Sequence, residues 1–186
     1  MSLSQQRLIQ GCQKGQASAQ RALYDRFAPK MLAVCYRYAR DRDDAEDMLQ
    51  EGFIKVFQKI GRYDERGSLE GWIRRIMVNT AIDHLRRQKN HQQNLEINEA
   101  VTEEVAETAL DHLEAEFLME LIQTMPEGYR VIFNLYAIEG YSHAEIAERL
   151  SVSESTSRSQ YTRARSWLKK RVREAYMESK VYKDVI

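Results

Sequence analysis

Proline is almost missing from this chain, at two in 186 residues, and glycine is sparse at eight. So few helix breakers, beside abundant Ala, Leu, Glu, Arg and Gln, exclude a loop-rich design and predict an all-α protein. The two cysteines, Cys12 and Cys35, are too few for a disulfide framework and lack metal-ligand spacing. Cys35 falls on an apolar helical stripe and reads as a small core residue. The four histidines, His84, His91, His112 and His143, are scattered, and neither Glu-x-x-His nor His-x-x-x-His occurs. No zinc or di-iron site is therefore expected, and no cofactor. No apolar run approaches the roughly 20 residues a membrane span needs. The polar start MSLSQQRLIQ does not read as a signal peptide. The expectation is a soluble chain that stays in the cytoplasm.

Net charge is zero, but it is unevenly spread. Residues 1–90 carry 17 Lys and Arg against 11 Asp and Glu, a net +6. Residues 91–125 carry nine acidic residues and no Lys or Arg, a net −9, and residues 126–186 carry 11 basic against eight acidic, a net +3. Two basic blocks flanking an acidic bridge suggest two anion-binding modules joined by a linker. At this length each module can bury a modest core.

The first block is organised around Asp43 to Lys89, two helices with a Gly- and charge-rich loop between them. In the first helix Ala45, Met48, Leu49, Val56 and Ile60 form an apolar stripe, and Asp44, Asp47, Glu51, Lys55 and Gln58 a polar one opposite. In the second, Leu69, Ile73, Ile76 and Met77 can face inward. Trp72, Arg75, Asn79 and Arg86 stack along one side, with Arg87 and Lys89 at the end. An aromatic ring, an amide and several cations on one stripe can stack bases and neutralise phosphates. Taken singly, the same features also suit a solvated helix face, a core Trp, and cations drawn to a helix C-terminus. Upstream, the spacing predicts a helix from Ala17 to Phe27, a break at Ala28 ahead of Pro29, and a second helix from Pro29 to about Arg40. Asp41 to Asp44 supply a cap for the helix that follows. Four helices ending near Lys89 would make a small bundle.

Asn90 to about Glu103 reads as a linker. From about Glu104 a helix is predicted, with Leu110, Leu113, Phe117, Leu121 and Met125 on one face and Pro126 as its stop. A heavily apolar helix, Glu127 to Glu139, follows, ended by Gly140. Ser142 and Glu145 make a capping box for a short helix through Leu150, and Ser151-Val152-Ser153 is a turn into a long helix. This is the pattern of a helix-turn-helix. Tyr161, Ala164, Leu168 and Val172 form the inner face of the long helix, and Arg158, Ser159, Thr162 and Arg163 the outer one. Such a face can lie in a major groove, where Arg reads guanine bidentately.

DAEDMLQEGFIKVFQKI, the short loop, and GSLEGWIRRIMVNTAIDHLRR together resemble region 2 of bacterial RNA polymerase sigma factors of the extracytoplasmic-function subfamily. YSHAEIAERLSVSESTSRSQYTRARSWLKK resembles their region 4, in the right order. The resemblance runs from about Ala17 to Tyr176. It implies a region 2 four-helix bundle over 1–90, an acidic linker over 91–108, and a region 4 helix-turn-helix bundle over 109–186. Asp44, Asp47, Gln50, Glu51, Lys55 and Gln58, with Phe53 nearby, would then dock on core RNA polymerase. The loop from Gly61 to Ser68 would help hold a base flipped out of the −10 element, which assigns Gly67, Ser68, Trp72, Arg75, Asn79 and Arg86 to that element. Arg158, Ser159, Thr162 and Arg163 would read the −35 element as duplex. Three positions depart from the family pattern. Ser151 replaces a frequent Gly, Ser157 an apolar residue, and Gln160 an Arg or Lys.

The expected function is promoter-specific transcription initiation with core polymerase, with an anti-sigma factor as a further partner. A helix-turn-helix repressor with an N-terminal dimerisation domain is the alternative, and it would bind a palindromic operator tightly by itself. An enzyme built on Asp43, Asp44, Asp47 and Glu51 lacks partnering histidines, a nucleophile motif and a phosphate-binding Gly loop, so no catalysis is expected.

Overall fold

The computed structural model describes residues 3–92 and 114–183, and among these every regular element is helical. The chain divides into two compact units, Met1–His91 and Gln92–Ile186.

The first unit contains α1 (Leu3–Gln13), α2 (Ala17–Tyr36), α3 (Arg42–Lys59) and α4 (Leu69–Gln92), with a single 3-10 turn at Ile60–Arg62 after α3. Four helices are present, but not the four the sequence spacing predicts. No break occurs at Ala28: α2 runs through Pro29 and stops at Tyr36 rather than near Arg40. The missing fourth helix is α1, ahead of Ala17. Pro29 lies on the exposed face, and Leu23, Phe27, Ala28, Met31, Val34 and Cys35 on both sides of it are buried. A proline inside a helix costs about 3 kcal/mol, and an apolar stripe continuing past it outweighs that at roughly 1.5–3 kcal/mol per buried large side chain.

Asp41 caps α3 by accepting from the Asp44 amide at 2.8 Å. Leu23, Met31, Tyr38, Met48, Ile60, Leu69, Ile73 and Met77 are fully buried. Helices α3 and α4 meet closely at Gly52, where a Cβ would lie 2.2 Å from the Met77 sulfur, so a larger residue could enter only by displacing that side chain.

In the second unit, α5 (Glu114–Gln123) is followed by α6 (Glu127–Phe133), α7 (His143–Leu150) and α8 (Glu154–Lys183). Most of the predicted 91–108 linker, and the part of the following helix that holds Leu110 and Leu113, lie outside the described residues. Its first two residues still belong to α4. The helix predicted as continuous from Glu127 to Glu139 widens into a π turn at Asn134–Ile138, with the Glu139 amide donating to the Asn134 carbonyl at 3.0 Å. Gly140, at φ +77°, ends it in the left-handed region as expected. Ile122, Met125 and Ala164 form a core packed round by Tyr129, Phe133, Ile138, Trp167 and Leu168.

Candidate docking face and nucleic-acid interfaces

Along α3, Asp47, Gln50 and Gln58 are exposed, and Glu51 and Lys55 half-buried. Glu51 is held by two cations. Lys55 lies 3.0 Å away on the same helix, and Arg87 reaches across from α4. Lys55 in turn lies 3.3 Å from Asp83. Burial pushes the Glu51 pKa up, but Arg87 and Lys55 outweigh it, and the carboxyl sits below its ordinary 4.5. The result is a charge lattice tying α3 to α4, with Asp47, Glu51, His84, Arg87 and Gln88 lining a shallow groove.

Asp44 corrects the sequence reading. It is 7 % exposed and turned inward rather than heading the polar stripe. It accepts from the Arg40 amide at 3.0 Å and the Gln88 side-chain amide at 3.0 Å, and lies 2.7 Å from His84 Nε2. Burial raises its pKa, yet the Arg40 amide and His84 outweigh that and hold the carboxyl below 3.8. Its role here is to pin α3 to α4. Phe53 is likewise buried, beside Tyr24 and Phe57. The apolar side chain presented outward is Ile54, 57 % exposed.

At the start of α4, Ser68 accepts from the Gly71 amide at 3.0 Å, capping the helix. Gly67 and Ser68 are exposed. The loop before them is stapled by a residue that sequence reasoning missed. Tyr63 is buried, donates its hydroxyl to the Gly67 carbonyl at 2.6 Å, and sets its ring 5.5 Å from that of Trp72. An aromatic ring alone among charges and glycines was the available signal. Trp72 is half-buried, Arg75 and Arg86 are exposed, and Asn79 is half-buried and engaged within the chain. Trp72 thus has one face committed to the loop and part of its surface still accessible for stacking.

In the second unit the capping box forms as predicted. The Glu145 amide donates to Ser142 Oγ at 3.2 Å, and the Ser142 amide to Glu145 Oε2 at 2.8 Å. Ser151 turns the corner at φ +54°, the left-handed conformation for which glycine is the unstrained choice. Ser153 then caps α8, accepting from the Thr156 amide at 3.0 Å. Ser157, unexpectedly polar at an inward position, is fully buried, with its hydroxyl 2.9 Å from His143 Nδ1. His143 stacks on Tyr136 at 4.2 Å and 13°, and Tyr161 closes the cluster. Burial, reinforced by Arg158 and opposed by Glu154, pulls the His143 pKa below 6.5, favouring the neutral ring. One hydrogen bond therefore ties the first turns of α7 and α8 together.

Arg158, Ser159, Thr162 and Arg163 are all exposed on one side of α8. Arg158 pairs with Glu154, one turn back. Ser159 and Thr162 donate to the carbonyls of Thr156 and Arg158, both at 3.0 Å, leaving oxygen lone pairs outward.

Two helical units in series, the second presenting a polar helix on a helix-turn-helix, define a two-module DNA-binding protein. Family models agree: residues 23–91 match Sigma-70 region 2, and residues 117–168 match Sigma-70 region 4. The RNA polymerase sigma-H factor of Pseudomonas aeruginosa is 29% identical over 178 residues, 89% of this chain and 92% of that one. The ECF RNA polymerase sigma factor SigW of Bacillus subtilis is 27% identical over 186 residues, 94% of this chain and 100% of that one. Among solved structures, the sigma factor RpoE of Bartonella quintana, crystallised with the anti-sigma factor NepR, has the same fold. Its TM-score is 0.52 at 19% identity, over 82% of this chain and 96% of that one. The chain belongs to the RNA polymerase sigma factors, in the extracytoplasmic-function group. The repressor alternative is not favoured, because its N-terminal module would have no reason to match region 2.

Proposed function

We propose that this sigma factor works in the cytoplasm by docking the α3 face, through Asp47, Gln50, Glu51, Lys55 and Gln58, on core RNA polymerase. Asp44 supports that face from beneath. Docking presents the Gly61–Ser68 loop and the Trp72, Arg75, Asn79 and Arg86 side of α4 to the −10 element, where a base is held out of the stack. Gly67 and Ser68 shape the loop that receives it. Arg158, Ser159, Thr162 and Arg163 read the −35 element in the major groove. The predicted 91–108 linker, past its first two residues in α4, acts as the tether, so two weak modules gain avidity only when both elements are correctly spaced. The chain performs no chemistry of its own, since polymerase makes the bonds. An anti-sigma factor covering the docking face or the cationic helices would hold it inactive.

The observation that carries this reading is the pair of region matches in one chain. The exposed Arg158–Arg163 face, on the helix that follows the Ser151 turn and within the second match, supports the −35 reading. The test is run-off transcription with purified core polymerase on genomic promoter fragments. Initiation that depends on this chain at a defined set of promoters is expected, and none at any promoter would sink the reading. Asn79→Ala is expected to slow strand opening more than initial binding.

A further inference from the structure

The outward stripe of α8 does not end where base reading ends. Arg158, Thr162, Arg165, Lys169 and Arg173 follow at steps of four, three, four and four residues, so they lie on one face of the helix. All five are exposed. Ser166 and Lys170, also exposed, run beside them. The cations along this face differ in how far they are neutralised. Lys170 and Arg171 share Glu174, at 3.7 and 3.5 Å. Among the described residues, Lys169 and Arg173 have no ion-pair partner, and Arg165 only rests over the Tyr161 ring at 5.9 Å.

Helix α8 has 30 residues, about 45 Å at 1.5 Å per residue. From Arg158 to Arg173 is about 22 Å on the same rise, against a major groove about 12 Å wide. A helix crossing the groove with Arg158 and Arg163 at the base edges must carry its later turns over the rim, where phosphates lie. We infer that Arg165, Lys169 and Arg173 form a phosphate-backbone contact that extends the duplex grip beyond the base-reading end of α8. Lys169 and Arg173 lie past the region 4 match, which ends at residue 168. The occupant is DNA rather than an acidic protein because the stripe is continuous with the recognition face, and the exposed apolar side chains of α8, Tyr176 and Met177, lie only beyond its last cation. The inference rests on α8 being the duplex reader.

The test titrates holoenzyme, assembled from the full chain and core polymerase, on promoter duplex over a series of KCl concentrations. Each phosphate contact contributes about 0.9 to the slope of log K against log salt. Lys169→Ala with Arg173→Ala should flatten that slope by about 2 and weaken binding equally on promoters with intact and scrambled upstream elements. An unchanged slope would overturn the inference. So would a changed preference between the two promoters, because the pair would then be reading bases. Arg163→Ala separates the two levels. If it leaves the preference unchanged, the assignment of α8 as reader has failed. If it erases the preference while the double variant leaves the slope intact, only the backbone contact is lost.

Discussion

The two units handle their charged residues in opposite ways. In the first, functional and structural charges are interlocked. Glu51 is shared by Lys55 and Arg87, and beneath that layer Asp44 is gripped by three groups from two other segments. In the second, the outward residues of α8 touch little but their own helix, and the cross-helix polar bond, Ser157 to His143, lies on the other side. A face meant for one protein partner gains from being held rigid before contact, because ordering long side chains during binding costs about 0.5–1.5 kcal/mol each. A face meant for DNA gains from mobile cations that can settle on whichever phosphate or base edge is nearest. On the proposed site assignments, stability and function share residues in the first unit, whereas in the second they lie on opposite sides of one helix.

The largest effect that would sharpen this comparison is expected from Asp44→Ala. It strips a buried carboxylate from the Arg40 amide, Gln88 and His84, and should cost about 3 kcal/mol in thermal or denaturant unfolding. The same group sets an acid limb. Its folded pKa lies below the unfolded value near 3.8. Its stabilisation is therefore complete above that value and is lost as pH falls through the folded one. The variant should lack that component, and a parallel acid profile for variant and parent would show that Asp44 is not clamped. Next, Arg163→Ala should cost about 1–3 kcal/mol of −35 recognition while leaving unfolding unmoved. A melting shift comparable to that of Asp44→Ala would erase the distinction between the units. Ser157→Ala should fall between the two classes, losing about 1 kcal/mol of stability. Smallest in stability is Glu51→Gln, at well under 1 kcal/mol because the pairs are partly open to solvent. Its affinity for core polymerase should nevertheless fall measurably, and intact affinity would remove Glu51 from the docking face.

What could be read ahead of the structure followed local rules. The Asp41 cap, the Ser142–Glu145 box and the Gly140 stop each depend on neighbours three or four residues away, and all are present. What could not be read depends on distant partners. Asp44 fits the polar stripe by spacing, yet its partners His84 and Gln88 lie 40 and 44 residues on. Pro29 is a sound stop signal by itself, overruled by apolar residues on both flanks that serve one core. Ser157 looked like a departure from the region 4 pattern. Its complement is His143, fourteen residues back on another helix. The residues proposed for base reading and polymerase docking could be read as polar faces of their helices, with Asp44 the one that turned out buried. The Tyr63 staple of the loop before α4 could not be read, because its bond goes to a backbone carbonyl that any sequence would provide.

Both cysteines of the chain are sunk in the first unit, Cys12 at 3 % and Cys35 at 0 % exposure, and burial pushes the Cys35 thiol up to about 12. A peroxide or a strained disulfide therefore meets no ready thiolate here, since it is the deprotonated, reachable sulfur that reacts. Oxidation of a cysteine is thus not a route by which a peroxide acts directly on the folded first unit. The native chain should leave a thiol reagent such as DTNB colourless until it is unfolded.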